Sequence, residues 1–213
     1  MAFEGTHLRF AVDVQERFQI QDLNKYLSGT IYPDSRYMTK IERNLTHGNQ
    51  FFDKNFYQHN DFKKGWVAHL IYDKIQFELI GEIFSDIVPQ SEIFYGDENW
   101  ITRTAIKMLQ DMNDISNFEI QIILPLLNYV ETPNGENLQT LERYNQLIID
   151  LYHSAPSIHI NDYKKMQLEY SGDETTFDKV AIKVSQFRDD TSIKERVPLL
   201  YPKTVDIFSK QIL

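Results

Sequence analysis

The chain has 213 residues, 42% of them hydrophobic and 25% charged, with a net charge of −9 and no cysteine. This composition predicts one soluble domain over 1–213 with a sizeable core, and it excludes disulfides, thiolate zinc sites and cysteine nucleophiles together. Lys63-Lys64 and Lys164-Lys165 are the only adjacent basic pairs, too few for duplex nucleic acid. No apolar run approaches the roughly 20 residues of a transmembrane segment, and MAFEGTHLRF lacks a basic-then-apolar leader pattern, so a cytoplasmic protein is expected.

Helical spacing dominates, and an all-α fold follows. A first stripe, Phe10, Ala11, Val14 and Phe18, is expected to start at Thr6. The run YLSGTIYPDSR (26–36) makes a turn fixed by Gly29 and Pro33. Ser35 then opens a further helical stretch, whose segment TKIERNLTH (39–47) closes on His47. Gly48–His59 reads as a loop, with Phe51, Phe52, Phe56 and Tyr57 as a candidate apolar or base-stacking pocket. Asn60 opens the long helix DFKKGWVAHLIYDKIQFELIGEIF (61–84). In it Phe62, His69, Asp73, Ile80 and Phe84 share a sector of roughly 60°, with Lys63, Lys74, Glu78 and Glu82 opposite. Beyond it, Asp97 starts a helix with the stripe Trp100, Thr104, Met108, Met112. Ser116 with Glu119 and Ser171 with Glu174 have capping-box spacing. Pro125 should kink or divide IQIILPLLNYV, and Leu141, Tyr144, Ile148 and Leu151 form a further stripe. Pro33, Pro89, Pro133, Pro156 and Pro198 read as stops. The half 1–84 holds the polar site, and 97–213 supplies helical cover.

His69 and Asp73 stand four apart and face inward together. An isolated buried carboxylate costs several kcal/mol, so Asp73 requires a cation, a hydrogen-bond network or a metal ion as partner. His7, Asp34 at the end of the Gly29–Pro33 turn, and His47 bring the total to three imidazoles and two carboxylates within the first 73 residues. Neutral imidazole and carboxylate are the ligands zinc takes when thiolates are absent. Singly, each residue has an ordinary structural explanation: a satisfied core histidine, a His/Asp hydrogen bond, an aspartate N-cap. Their joint occurrence, in this order, favours a site.

That order resembles the zinc-dependent phospholipase C and P1-nuclease-like family, with its uncharacterised bacterial hydrolase-like members. The pieces are THLRFA (6–11), SGTIYPDS (28–35), NLTH (44–47) and FKKGWVAHLIYD (62–73), the last fitting a Phe-x-x-Gly-x-x-x-His-x-x-x-Asp helix; the match covers the first 75 residues. The resemblance implies a compact multi-helix bundle of that type, in which Asp34, His47, His69 and Asp73 hold one zinc and Asp73 bridges to a second ion at His7. The sequence also departs from the family. Its secreted members use a free N-terminal tryptophan at the second ion, where this chain begins Met1-Ala2. Their further ion uses a histidine soon after the helix motif and a later His-x-x-x-Glu pair. Here Gln76, Phe77 and Leu79 follow the motif, and Ser157 and Tyr163 stand four residues after His153 and His159. One or two ions are therefore expected, zinc or another divalent transition metal, and not a three-metal cluster.

The resemblance implies a metal-dependent hydrolase of a small-molecule or lipid phosphoester, using metal-activated water, with Asp34 or Asp61 orienting that water. No organic cofactor is needed. The alternative is a non-catalytic helical binding or structural protein that retains an eroded metal-site scaffold, with Asp73 held by hydrogen bonds from His7, His47 and His69. Serine hydrolase, nucleoside triphosphatase and dinucleotide motifs are missing, and no His-Asp dipeptide supports an HD-type phosphohydrolase.

Overall fold

The structure, a computed structural model, describes residues 3–48, 58–89 and 91–211. Helix α1 (Glu4–Val14) begins after Phe3, three residues earlier than capping chemistry at Thr6 predicts. Thr6 lies inside the helix because a distant carboxylate caps it. Its amide and hydroxyl both donate to Asp111 Oδ1, at 2.6 and 2.9 Å, satisfying an amide that the first turn leaves open. After a 3₁₀ turn at Gln15–Phe18, α2 (Leu23–Ile31) starts at Asp22, whose side chain accepts from Lys25 N. A second 3₁₀ turn, Tyr32–Ser35, leads through Ser35 into α3 (Arg36–Thr39), and α4 (Arg43–His47) follows. The expected continuous stretch 39–47 breaks at Lys40, which takes a left-handed φ of 60° and donates its amide to Arg36 O.

Asn60 caps α5 (Asp61–Ile83) as expected, accepting from Lys63 N at 2.9 Å, and Asp97 caps α6 (Glu98–Ile115). The 120–130 run is not helical. Pro125 leaves it as two 3₁₀ turns, Ile120–Ile122 and Leu124–Leu126. The chain continues as α7 (Leu138–Tyr152), α8 (Ile160–Ser171), α9 (Glu174–Asp189), α10 (Thr191–Arg196) and α11 (Leu200–Gln211). Two expected starts are corrected. Ser116 sits at the C-terminal end of α6, and Ser171 ends α8. The cap of α9 is Asp173, because Gly172 first reverses the chain at a φ of 70°. Pro198 joins α10 to α11 through a 3₁₀ turn rather than ending the helical run. The aromatic set Phe51, Phe52, Phe56 and Tyr57 lies outside the described residues.

Among the described residues there is no strand, and no helix is long and apolar enough to cross a membrane. One apolar cluster draws on residues from Phe3 to Phe208, so both halves of the chain share it. Eight tyrosines are buried among the described residues, and a buried hydroxyl ordinarily finds a partner. Tyr152 and Tyr163 donate to Asp111, Tyr144 and Tyr170 to Glu4. These bonds tie α1 to α6, α7 and α8.

The tightest approach is between α2 and α5. A Cβ at Gly29 would lie 1.9 Å from Phe62 O, and one at Gly65 would lie 1.9 Å from Tyr26 O. Each glycine therefore admits the other helix's backbone. This crossing explains two glycines of the family-like string, since it brings the 28–35 segment against the helix carrying His69 and Asp73. Trp66 adds a second tie, donating Nε1 to Thr46 O at 2.6 Å, one residue before His47.

Candidate metal centre

Four elements deliver five side chains to one place. His7 comes from α1, Asp34 from the 3₁₀ turn after α2, His47 from the end of α4, and His69 and Asp73 from α5. Three imidazoles converge on Asp73. His7 Nε2 is 3.6 Å from Oδ1, while His47 Nε2 and His69 Nε2 are 3.8 and 3.6 Å from Oδ2. His47 Nε2 also stands 3.5 Å from Asp34 Oδ1. The rings of His7 and His69 stack at 3.8 Å with 13° between their planes. His69 Nδ1 lies 2.9 Å from the carbonyl of Thr30; a carbonyl only accepts, so Nδ1 carries the proton and Nε2 presents its lone pair to the cluster. His47 Nδ1 meets the Thr46 hydroxyl at 2.9 Å. Both histidines are thus oriented through the nitrogen that faces away from the cluster, which is how metal-bound imidazoles are ordinarily held.

Enclosure is nearly complete. His7, His69 and Asp34 are 0–1% exposed, and Asp73 reaches solvent most, at 15% of its side chain. Burial drives the His7 imidazole toward its neutral form, and neighbouring His69 adds to this; burial does the same to His47. Burial pushes the Asp34 carboxyl up, but the facing His47 and His69 imidazoles and the N-terminal charge together outweigh it and hold the group below the usual carboxylate range. Asp73 is likewise held low against its burial, with His69 and Lys107 among the groups responsible. Neutral imidazoles beside ionised carboxylates are the protonation states that metal ligation requires.

The donor set fits a cation. His7 Nδ1 and Nε2, Asp34 Oδ1 and Oδ2, and His69 Nε2 are buried with no hydrogen-bond partner. A buried polar atom left in that condition costs about 1–3 kcal/mol. One ligand atom each from His7, Asp34 and His69 lies within 4.8 Å of the others, and the same holds for His47, His69 and Asp73. Ligands at about 2.0–2.1 Å around a tetrahedral ion stand roughly 3.3 Å apart; the four His–Asp contacts, at 3.5–3.8 Å, are within a few tenths of an ångström of that, and the remaining separations in each group are up to 4.8 Å. The expected residues His7, Asp34, His47, His69 and Asp73 are all brought together. His7 groups with Asp34 and His69 as well as with Asp73, rather than standing apart at a separate position.

Asp61 is not brought there. It precedes His69 by two turns of α5, about 12 Å along the axis. Its Oδ2 accepts from the amides of Gln21 and Asp22 at 3.0 and 2.6 Å, and its Oδ1 from Lys64 at 3.1 Å. Against the effect of burial, these donors hold its carboxyl low, and the group anchors the chain ahead of α2. Sequence reasoning also passed over Thr30 and Thr46, which orient the histidines, and Glu4 and Asp111, which anchor α1. Thr30 acts through its backbone, and Asp111 lies 105 residues from its partner Thr6, so local spacing carries no signal for either.

No protein-family model, characterised protein or solved structure matches the chain.

Proposed function

We propose that the protein is a metal-dependent phosphoester hydrolase of zinc type, similar in kind to the phospholipase C and P1-nuclease-like enzymes. The observation that carries this reading is the convergence of three imidazoles and two carboxylates, five of whose buried ligand atoms have no hydrogen-bond partner. Asp34, sequestered at 1% exposure, suits the role of ligand better than that of a base meeting water. Asp73, the most exposed member and the one that all three imidazoles approach, suits a carboxylate that both binds an ion and orients water at the open side. His69 and His47, fixed through Thr30 and Thr46, supply lone pairs at defined positions. A divalent ion held by these groups would act as a Lewis acid, acidifying water and offsetting charge on a phosphoryl oxygen.

The test is elemental analysis of purified protein with an assay on bis(p-nitrophenyl) phosphate before and after chelation. Stoichiometric zinc, manganese or iron with chelator-sensitive hydrolysis is the expected result. Protein that holds none of these metals and gains no activity on their addition would overturn the reading. The enclosure of His7, His69 and Asp34 favours a second reading, a non-catalytic protein in which the ion only stabilises the fold. Metal with no hydrolysis across phosphomonoesters and phosphodiesters is its signature.

A further inference from the structure

Beside the candidate centre lies a cleft of about 860 Å³, within the size range of small-molecule sites. Its floor is one face of α6. Trp100, Arg103, Thr104 and Lys107 follow i, i+3, i+4, i+7 spacing and all line it. Arg36 and Tyr37 of α3, Arg43 of α4 and Phe77 of α5 form its walls. In a chain of net charge −9, the described lining holds four cations, Arg36, Arg43, Arg103 and Lys107, against one carboxylate, Glu92.

Lys107 is the decisive residue. It is 7% exposed, yet among the described residues it has no hydrogen bond and no carboxylate at ion-pair distance. Its stem is packed away while its ammonium opens on the cleft with no fixed partner, which leaves the charge available to an anion. Its charge acts on Asp73, and Arg36 follows Asp34 by two residues, so the cleft adjoins the cluster. Arg36 Nε is buried without a partner, while the guanidinium rests on the Tyr37 ring at 4.0 Å and donates to its hydroxyl. Arg103 lies over Phe77 at 4.4 Å, and Tyr95 packs on Trp100 at 4.8 Å. The cleft thus combines an excess of cations with aromatic walls.

We propose that this cleft binds a phosphate monoester carrying an aromatic or apolar group, its dianion meeting Lys107 with Arg36, Arg43 and Arg103 and its organic part lying along Phe77 and Trp100. Two negative charges suit several converging cations, and guanidinium forks match phosphate oxygens better than an ammonium alone does. That the bound ester is also the substrate rests on the hydrolase reading; that the cleft binds it does not.

The test is calorimetric titration of chelator-treated protein with phenyl phosphate, inorganic phosphate and diphenyl phosphate, repeated on Lys107→Met and Arg43→Gln. Saturable binding is expected without metal, tightest for phenyl phosphate, weaker for inorganic phosphate and weakest for the diester. Lys107→Met, close in volume and apolar, should fold with a raised melting temperature and weaken phenyl phosphate binding by about tenfold or more. Arg43→Gln, at an exposed position, should weaken it about two- to threefold. Absence of binding in metal-free protein, equal binding by Lys107→Met, or a preference for the diester would overturn the proposal. Zinc content, measured separately, decides the hydrolase reading: a zinc-free protein that binds phenyl phosphate through Lys107 refutes that reading alone.

Discussion

Replacing Gly65 by alanine should be far more damaging than a single added methyl suggests. The new Cβ would lie 1.9 Å from Tyr26 O and 2.8 Å from Thr30 N, both backbone atoms of α2, whereas real Cβ contacts essentially never fall below 3.0 Å. The helices must therefore part by about 1 Å at their crossing, and overpacking on this scale costs roughly 1–3 kcal/mol or more. The displacement would also fall on Thr30, whose carbonyl receives His69 Nδ1 at 2.9 Å, and on the turn that carries Asp34. A shift of that size at a ligand set should weaken zinc binding at least about tenfold. Gly81→Ala, in the same helix, is the control. Its Cβ meets only the flexible end of Arg103, at 3.3 Å, so it should stabilise the protein by about 0.5–1 kcal/mol through helix propensity. Urea unfolding of both variants, with zinc titration followed by calorimetry, separates the effects. Equal stability of Gly65→Ala and Gly81→Ala, with zinc affinity unchanged in both, would refute the account of the crossing.

If the proposed centre holds zinc, chelation should lower the melting temperature of the wild-type protein, and zinc added to about 100 times its Kd should return roughly 2.7 kcal/mol. His69→Ala should show no such zinc response by differential scanning fluorimetry. Asp111→Asn should lose about 2–4 kcal/mol in denaturant titrations, because the four donors from Thr6, Tyr152 and Tyr163 would face an amide group that cannot accept from them all. Zinc affinity should fall with it, since Thr6 immediately precedes His7. Glu4 supplies a pH test. Burial, with the Asp34 charge adding to it, pushes its carboxyl up to about 8 from 4.5. Its contribution to stability is therefore present in full below pH 4.5 and is lost as pH rises toward 8, at up to about 1.4 kcal/mol per pH unit. In chelator-treated protein this fall should be visible in unfolding free energies and absent from Glu4→Gln; identical pH profiles for the two proteins would contradict it.

Amphipathic spacing made the long helix, its caps Asn60 and Asp97, and the inward sector of His69 and Asp73 legible, because these depend on residues within a few turns of one another. His7, Asp34 and His47 entered the candidate ligands through their order along the chain and the family resemblance it carries. Starts at Thr6 and Ser171 went wrong for a shared physical reason, since a capping residue marks a helix end only where no stronger partner competes; Ser116 instead closes α6. Asp111 takes Thr6 from across the chain, and Gly172 with Asp173 displaces Ser171. Asp61 looked like a base because it is an acid near a loop, but its acceptor sites are filled by Gln21, Asp22 and Lys64. The stripe Trp100, Arg103, Thr104 and Lys107 was open to inspection at helical spacing. Its meaning depends on the cations that α3 and α4 bring to the same cleft, which only the folded chain reveals.

The Thr30 carbonyl that fixes the tautomer of His69 belongs to the peptide backbone. No substitution at position 30 can delete that oxygen, and any side chain that keeps α2 in place keeps the contact. A saturation mutagenesis survey would therefore score Thr30 by its buried hydroxyl alone, and the orienting group of the central imidazole would leave no trace in the variant data. Backbone amide-to-ester replacement, which changes the carbonyl without changing the side chain, is the perturbation that reaches it.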